Sequence, residues 1–128
     1  MDQLCPCGSG DLYLDCCGRF IEAAQQPATP EQLMRSRYTA YALNNDAYIL
    51  ATWHSSTRPV SLHDKNQLPV KWVELKVLNS SQPAENDNRA IVEFTARFKV
   101  GGKAERMHEI SEFKKEAGKW YYLQGKVD

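Results

Sequence analysis

The fold is decided by residues 90–102, which read AIVEFTARFKVGG and alternate apolar with polar side chains. The apolar positions share one face of an extended strand; they are Ala90, Val92, Phe94, Ala96, Phe98 and Val100. The two closing glycines are a strong signal for a hairpin turn. We therefore expect residues 106–115 to return beside this strand, and a turn at residues 116–119 to lead into a further strand at residues 120–123.

Towards the N-terminus from this hairpin, the spacing of apolar residues changes from the two-residue repeat of strands to the 3.6-residue repeat of helices. Residues 73–77 still alternate, with Val73, Leu75 and Val77 on one face, and a polar loop follows at residues 79–88. Between Glu31 and Leu43 the apolar residues recur at helical spacing, behind a capping pattern that begins at Thr29. A second apolar run covers residues 47–53, with Asp46 as its predicted N-cap. Helices followed by an antiparallel meander predict an α+β fold in which the helices pack on one face of the sheet.

Length and charge limit what this chain can be. It has 128 residues, enough for one core, and its 16 Lys and Arg residues balance 16 Asp and Glu residues. Zero formal charge argues against a free-standing nucleic-acid binder, which normally carries a basic excess. No apolar stretch approaches 18 residues, and no basic segment leads into an apolar one at the N-terminus. We therefore expect a cytoplasmic protein without a membrane partner.

All four cysteines lie in the segment CPCGSGDLYLDCCG, residues 5–18. Disulfides or free thiols are one interpretation. Disulfides between these close pairs, however, would close only a short loop and so add little stability. Four thiolates within reach of one ion favour tetrahedral zinc, and Gly8 and Gly10 allow the tight turns that this requires. A closed site of four cysteines leaves no position for water, so we predict one structural zinc ion per chain. Its ligands are Cys5, Cys7, Cys16 and Cys17.

Two resemblances extend this interpretation. Cys-x-Cys-Gly-Ser-Gly, followed by an aromatic residue and Cys-Cys-Gly, resembles the SEC-C motif, a small zinc knuckle in which these four cysteines would be the metal ligands. The order of elements resembles the nuclear-transport-factor-2-like fold, also called cystatin-like, in which a curved sheet wraps a long helix into a cone with a cavity. The segments LMRSRYTAYA (33–42), ATWH (51–54), HEISEF (108–113) and GKWYY (118–122) are similar to those of the YchJ family of uncharacterised bacterial proteins. Together these resemblances imply a knuckle over residues 1–20 and a cone domain over residues 28–128.

A cone could turn several polar and aromatic side chains inward, and these are the candidates for a ligand pocket. They are Arg35, Tyr38, Trp53, His54, Arg58, His108 and Glu112. Among them His54 and His108 could titrate near neutral pH, and Tyr38 could donate to an oxyanion. Each also has a structural interpretation, as a cap, a cross-strand partner or a core aromatic residue. No phosphate-binding loop, His-Glu-x-x-His sequence or Gly-x-Ser-x-Gly elbow is present.

The sequence therefore leaves two functional hypotheses. The favoured one is a binding module whose zinc knuckle contacts a protein partner and whose cone holds a peptide or a small ligand. The alternative is a small-molecule enzyme of the isomerase or hydrolyase type, which would use His108 or His54 as a base in the cone.

Overall fold

Helical segments precede four strands along the chain. The computed structural model describes residues 3–62, 70–81, 83–84 and 86–127. Its elements are a 3-10 turn (Tyr13–Asp15), α1 (Gly18–Ile21), α2 (Pro30–Ala42), α3 (Asp46–Ala51), β1 (Val70–Ser80), β2 (Arg89–Val100), β3 (Lys103–Glu116) and β4 (Lys119–Val127). The strands form one antiparallel sheet in the order β1-β2-β3-β4, so the predicted α+β class and its meander are confirmed. Residues 82 and 85 of the predicted polar loop lie outside the described residues, as do residue 1, where the predicted knuckle begins, and residue 128, where the predicted cone domain ends.

The β2–β3 hairpin sets which side chains face the helices. Its turn pairs Val100 with Lys103, and the same register pairs Phe94 with Glu109 and Val92 with Ser111. Because directly opposite residues point to the same side of a sheet, odd-numbered residues of β3 share a face with even-numbered residues of β2. This inner face carries the buried apolar side chains of β2.

Helix α2 lies on that inner face and contacts β1, β2 and β4. It begins as predicted, because Thr29 Oγ1 accepts the Gln32 amide at 3.1 Å and Pro30 occupies the first helical position. Leu33, Met34 and Tyr38 are buried against the sheet. Within the described ranges, no helix has the length and apolar character needed to cross a bilayer.

Three local predictions need correction. The N-cap of α3 is Asn45, whose side chain accepts the Tyr48 amide at 3.1 Å, whereas Asp46 already lies in the first turn. A bulge between Trp72 and Glu74 shifts the alternation of β1 by one residue. Val73 is consequently half exposed, while Trp72 packs against the core. β1 also continues through residues 79 and 80, which were expected in the loop, because both pair with β2.

Candidate metal centre and cavity

The N-terminal segment folds back on itself through two glycines. Gly8 and Gly10 have φ values of +81° and +88°, a region that glycine adopts without strain. A bridge between Leu4 and Leu12 and a 2.8 Å hydrogen bond from the Cys5 amide to the Asp11 carbonyl close the loop. The first pair of cysteines is thereby brought against the second pair.

The four cysteine sulfurs converge in the interior. All Sγ atoms lie within 4.8 Å of one another, and all four residues are buried and free of disulfides. Cys7 Sγ and Cys16 Sγ are 3.7 Å apart, far beyond the S–S bond length of about 2.05 Å. A tetrahedral ion with metal–sulfur bonds of about 2.3 Å spaces its sulfurs by about 3.8 Å. The cluster is therefore compatible with a metal ion held by Cys5, Cys7, Cys16 and Cys17.

The buried cysteine thiols differ in how readily they lose a proton. Hydrogen bonds from the Cys17 and Cys5 thiols hold the pKa of Cys7 well below its usual range. The hydrogen bonds that Cys17 makes with Cys5 and Cys7 raise the pKa of Cys17, and burial raises the pKa of Cys16. Cys7 therefore loses its proton more readily than Cys16 or Cys17. A bound cation would stabilise several thiolates at once, because its positive charge acts on all of its sulfur ligands.

Polar groups from the knuckle loop and from α2 surround the sulfurs. Ser9 Oγ lies 3.2 Å from Cys16 Sγ, and Thr39 Oγ1 of α2 lies 3.7 Å from Cys5 Sγ. Arg35, also on α2, donates from Nη1 to the Cys7 carbonyl at 3.0 Å. Such outer contacts orient metal ligands, and here they also fasten the knuckle to α2.

A cavity of about 270 Å³ lies between α2 and the inner face of the sheet. Six aromatic rings and two methionines supply most of its lining, together with an arginine, a glutamate and a serine. The lining residues are Met34, Arg37, Tyr38, Tyr41, Trp72, Phe94, Met107, Glu109, Ser111, Phe113 and Tyr122. Burial raises the pKa of Tyr38 to about 12 and also raises the pKa of Tyr41 and Tyr122, so these hydroxyls stay protonated at neutral pH.

The structure brings one of the predicted pocket residues, Tyr38, to this cavity. Arg35 pairs with Glu31 at 2.9 Å and faces the knuckle, and Arg58 is exposed. His108 lies on the outer face of the sheet, where its Nε2 is 2.7 Å from Glu93 Oε2. Glu112 shares that outer face, since it pairs with Ile91 of β2, which lies two strand positions from Glu93.

Trp53 and His54 lie behind the cavity wall rather than in its lining. The Trp53 ring meets the Tyr122 ring edge-on at 4.9 Å, and the His54 amide donates to the Tyr122 carbonyl at 2.7 Å. His54 Nδ1 accepts the Ser56 amide at 3.1 Å, and His54 Nε2 lies 2.9 Å from Glu116 Oε2. These two residues therefore support the position of Tyr122, which does line the cavity.

Arg37 and Glu109 are cavity residues that the sequence reasoning missed, although both had a detectable signal. Arg37 stands three residues after Met34 and four before Tyr41, so it belongs to the same helical face. Glu109 follows from the hairpin register, because a two-residue turn after Val100 places residue 109 opposite Phe94.

Comparison with known proteins agrees with this architecture. The family described as "YchJ, middle NTF2-like domain" matches residues 29–125, and the SEC-C motif matches residues 3–19. A UPF0225 protein of Chromobacterium violaceum is 54% identical over 125 residues, covering 96% of this chain and 92% of that protein. The solution structure of a SEC-C motif containing protein from Rhodopseudomonas palustris is 42% identical, with a TM-score of 0.84 and 98% of both chains covered.

A more distant structure supports the fold alone. The crystal structure of a putative calcium/calmodulin-dependent protein kinase type II association domain from Thiobacillus denitrificans is 12% identical, with a TM-score of 0.58. It covers 80% of this chain and 96% of its own. The predicted nuclear-transport-factor-2-like fold class is confirmed.

Proposed function

Because the chain belongs to the YchJ family, with a SEC-C motif ahead of an NTF2-like domain, we propose that it is a binding module in which a structural zinc centre supports a ligand cavity. The observation that carries this proposal is the position of α2. One helix contacts the cysteine cluster through Arg35 and Thr39 and lines the cavity through Arg37 and Tyr38.

Zinc is supported by the chemistry of the donors. Four thiolates are soft ligands that suit Zn²⁺ in tetrahedral geometry, and they leave no coordination position for water. The metal would therefore stabilise the knuckle, and no hydrolytic step would pass through it. Thiols retained as ligands need a reducing compartment, so a cytoplasmic location is part of the proposal.

Binding is favoured over catalysis because neither proposed base lines the cavity. His54 contacts Glu116 behind the wall, and His108 contacts Glu93 on the outer face. The cavity is instead mainly aromatic with few polar groups, as is typical of small-ligand sites. Docking of a protein partner on the knuckle stays a prediction.

The metal is tested by native mass spectrometry of protein purified in reducing buffer without chelators. We expect one zinc ion per chain, lost in the double variant Cys16→Ser, Cys17→Ser, whose sulfurs contribute half of the ligands. A metal-free wild-type chain would refute the zinc centre. A mass lower by two hydrogens per cysteine pair would show disulfides instead.

The cavity is tested with methionine methyl NMR. Met34 and Met107 both line the cavity, and the sequence contains only three methionines, so the spectrum is simple. We expect members of a mixture of small aromatic compounds to shift both signals at millimolar concentration. If no compound moves either signal, the cavity is not a ligand site.

A further inference from the structure

The polar side chains that line the cavity differ in how many contacts they make within the protein. Arg37 Nη1 donates to the Ile49 carbonyl and to Thr52 Oγ1, both at 2.7 Å. Its guanidinium also lies over the rings of Tyr122 and Trp53, 4.4 and 5.1 Å from their centroids. This cation therefore serves mainly to join α2 to α3 and to the aromatic wall.

Glu109 is the carboxylate of the cavity lining, and it keeps acceptor capacity. Its Oε2 accepts the hydroxyl of Ser111. In the part of the chain that the structure describes, no lysine or arginine nitrogen lies within 4.0 Å of its carboxylate oxygens. An ionised carboxylate offers about four acceptor sites, so one internal hydrogen bond leaves most of them for a ligand.

Gly125 makes room for this carboxylate. A Cβ at residue 125 would lie 2.5 Å from Glu109 Oε2 and 2.8 Å from the Tyr122 hydroxyl. The absence of a side chain there lets both polar groups sit at the same end of the cavity. The aromatic rings of Tyr41, Trp72 and Phe94 form other parts of its wall.

From this arrangement we propose that the cavity takes a small aromatic ligand that carries a basic nitrogen, with the nitrogen donating to Glu109. This inference rests on the proposed ligand-binding function and names its ligand class. Aromatic walls attract a cationic nitrogen, and the carboxylate supplies its hydrogen-bond acceptor. A volume of about 270 Å³ lies near the lower end of the range of about 300–1,000 Å³ that is typical of ligand pockets, which suits one ring with a short side chain.

The test compares three probes of similar shape and different charge: 2-phenylethylamine, 2-phenylethanol and phenylacetate. Binding is followed through the methyl signals of Met34 and Met107 in the full chain. We expect the amine to bind at least tenfold more tightly than phenylacetate at pH 7. Glu109→Gln should raise the Kd of the amine at least tenfold, whereas Glu93→Gln, which alters a carboxylate on the outer face, should leave it unchanged.

The outcomes separate this inference from the proposed function. If all three probes shift the signals with equal affinity, or phenylacetate binds best, the cavity is a ligand site but the preference for a basic nitrogen is refuted. If no probe shifts them, both are refuted. Should Glu109→Gln fail to fold, Glu109→Asp retains the charge and must still prefer the amine over phenylacetate; loss of that preference overturns the inference.

Discussion

Replacing Gly18 by alanine tests whether the metal centre depends on close backbone packing. The φ angle of Gly18 is not in the positive region, so alanine itself is conformationally acceptable there. An added Cβ would, however, lie 2.7 Å from the Tyr13 carbonyl oxygen and 3.2 Å from its carbon. Ordinary contact begins near 3.4 Å, so the two segments must separate by about 0.7 Å.

This displacement would move the backbone on both sides of Cys16 and Cys17. The same Tyr13 carbonyl accepts the Cys16 amide at 3.0 Å, and Cys17 directly precedes Gly18. Metal–ligand distances tolerate only about 0.2 Å of change. Overpacking costs about 1–3 kcal/mol, and each 1.4 kcal/mol is a factor of ten in affinity. We therefore expect Gly18→Ala to weaken binding at the proposed zinc centre by about 5- to 150-fold.

The assay is competition with a chromogenic zinc chelator, read as the chelator concentration that removes half of the metal. Gly118→Ala is the control: unlike Gly18, its φ of +80° strains an alanine, but the added Cβ would meet nothing within 4 Å. It should destabilise the β3–β4 turn and leave the chelator midpoint unchanged. A Gly18→Ala midpoint within twofold of wild type would refute the reasoning, and so would an equal loss in the control.

Three further perturbations probe the surroundings of both sites. Thr39→Val removes the hydroxyl beside Cys5 and should weaken metal retention about 10- to 100-fold in the same chelator assay, whereas Thr39→Ser should retain it. Arg37→Met removes the hydrogen bonds to the Ile49 carbonyl and to Thr52 Oγ1 and should lower the free energy of unfolding in urea by about 2–4 kcal/mol, while the exposed Arg97→Met should change it by less than about 0.5 kcal/mol. Hydrogen bonds from Asn79 and His108 lower the pKa of Glu93, so ionised Glu93 stabilises the fold above its ordinary pKa. This contribution should fade as the pH falls below about 4, and a Glu93→Gln variant with the same acid dependence of unfolding as wild type would contradict it.

Elements with strong local signals could be predicted from the sequence. The glycine pair after Val100 determined the hairpin, and the capping residues before α2 determined where that helix begins. The cysteine segment indicated a convergent cluster, because close thiols and flexible glycines leave few other arrangements. In each case the deciding interaction lies within a few residues along the chain.

Features that depend on distant packing could not be predicted in this way. The bulge after Trp72 shifts β1 by one residue so that the indole meets Tyr38, a contact across 34 positions of sequence. His108 was expected inside because its residue type suits catalysis, although the hairpin register puts it on the opposite face from Glu109. The close approach of Gly18 to Tyr13 has no signature in residue type at all.

Helix α2 forms a common wall for the two sites. Since Thr39 contacts a cysteine and Tyr38, its neighbour in the chain, faces the cavity, a rigid rotation of the helix cannot alter one site without altering the other. Thermodynamic reciprocity then applies: if zinc strengthens ligand binding by some factor, the ligand must raise the affinity for zinc by that same factor. We therefore expect that cutting the chain between residues 20 and 28 would separate two sequence motifs without yielding two independent folding units.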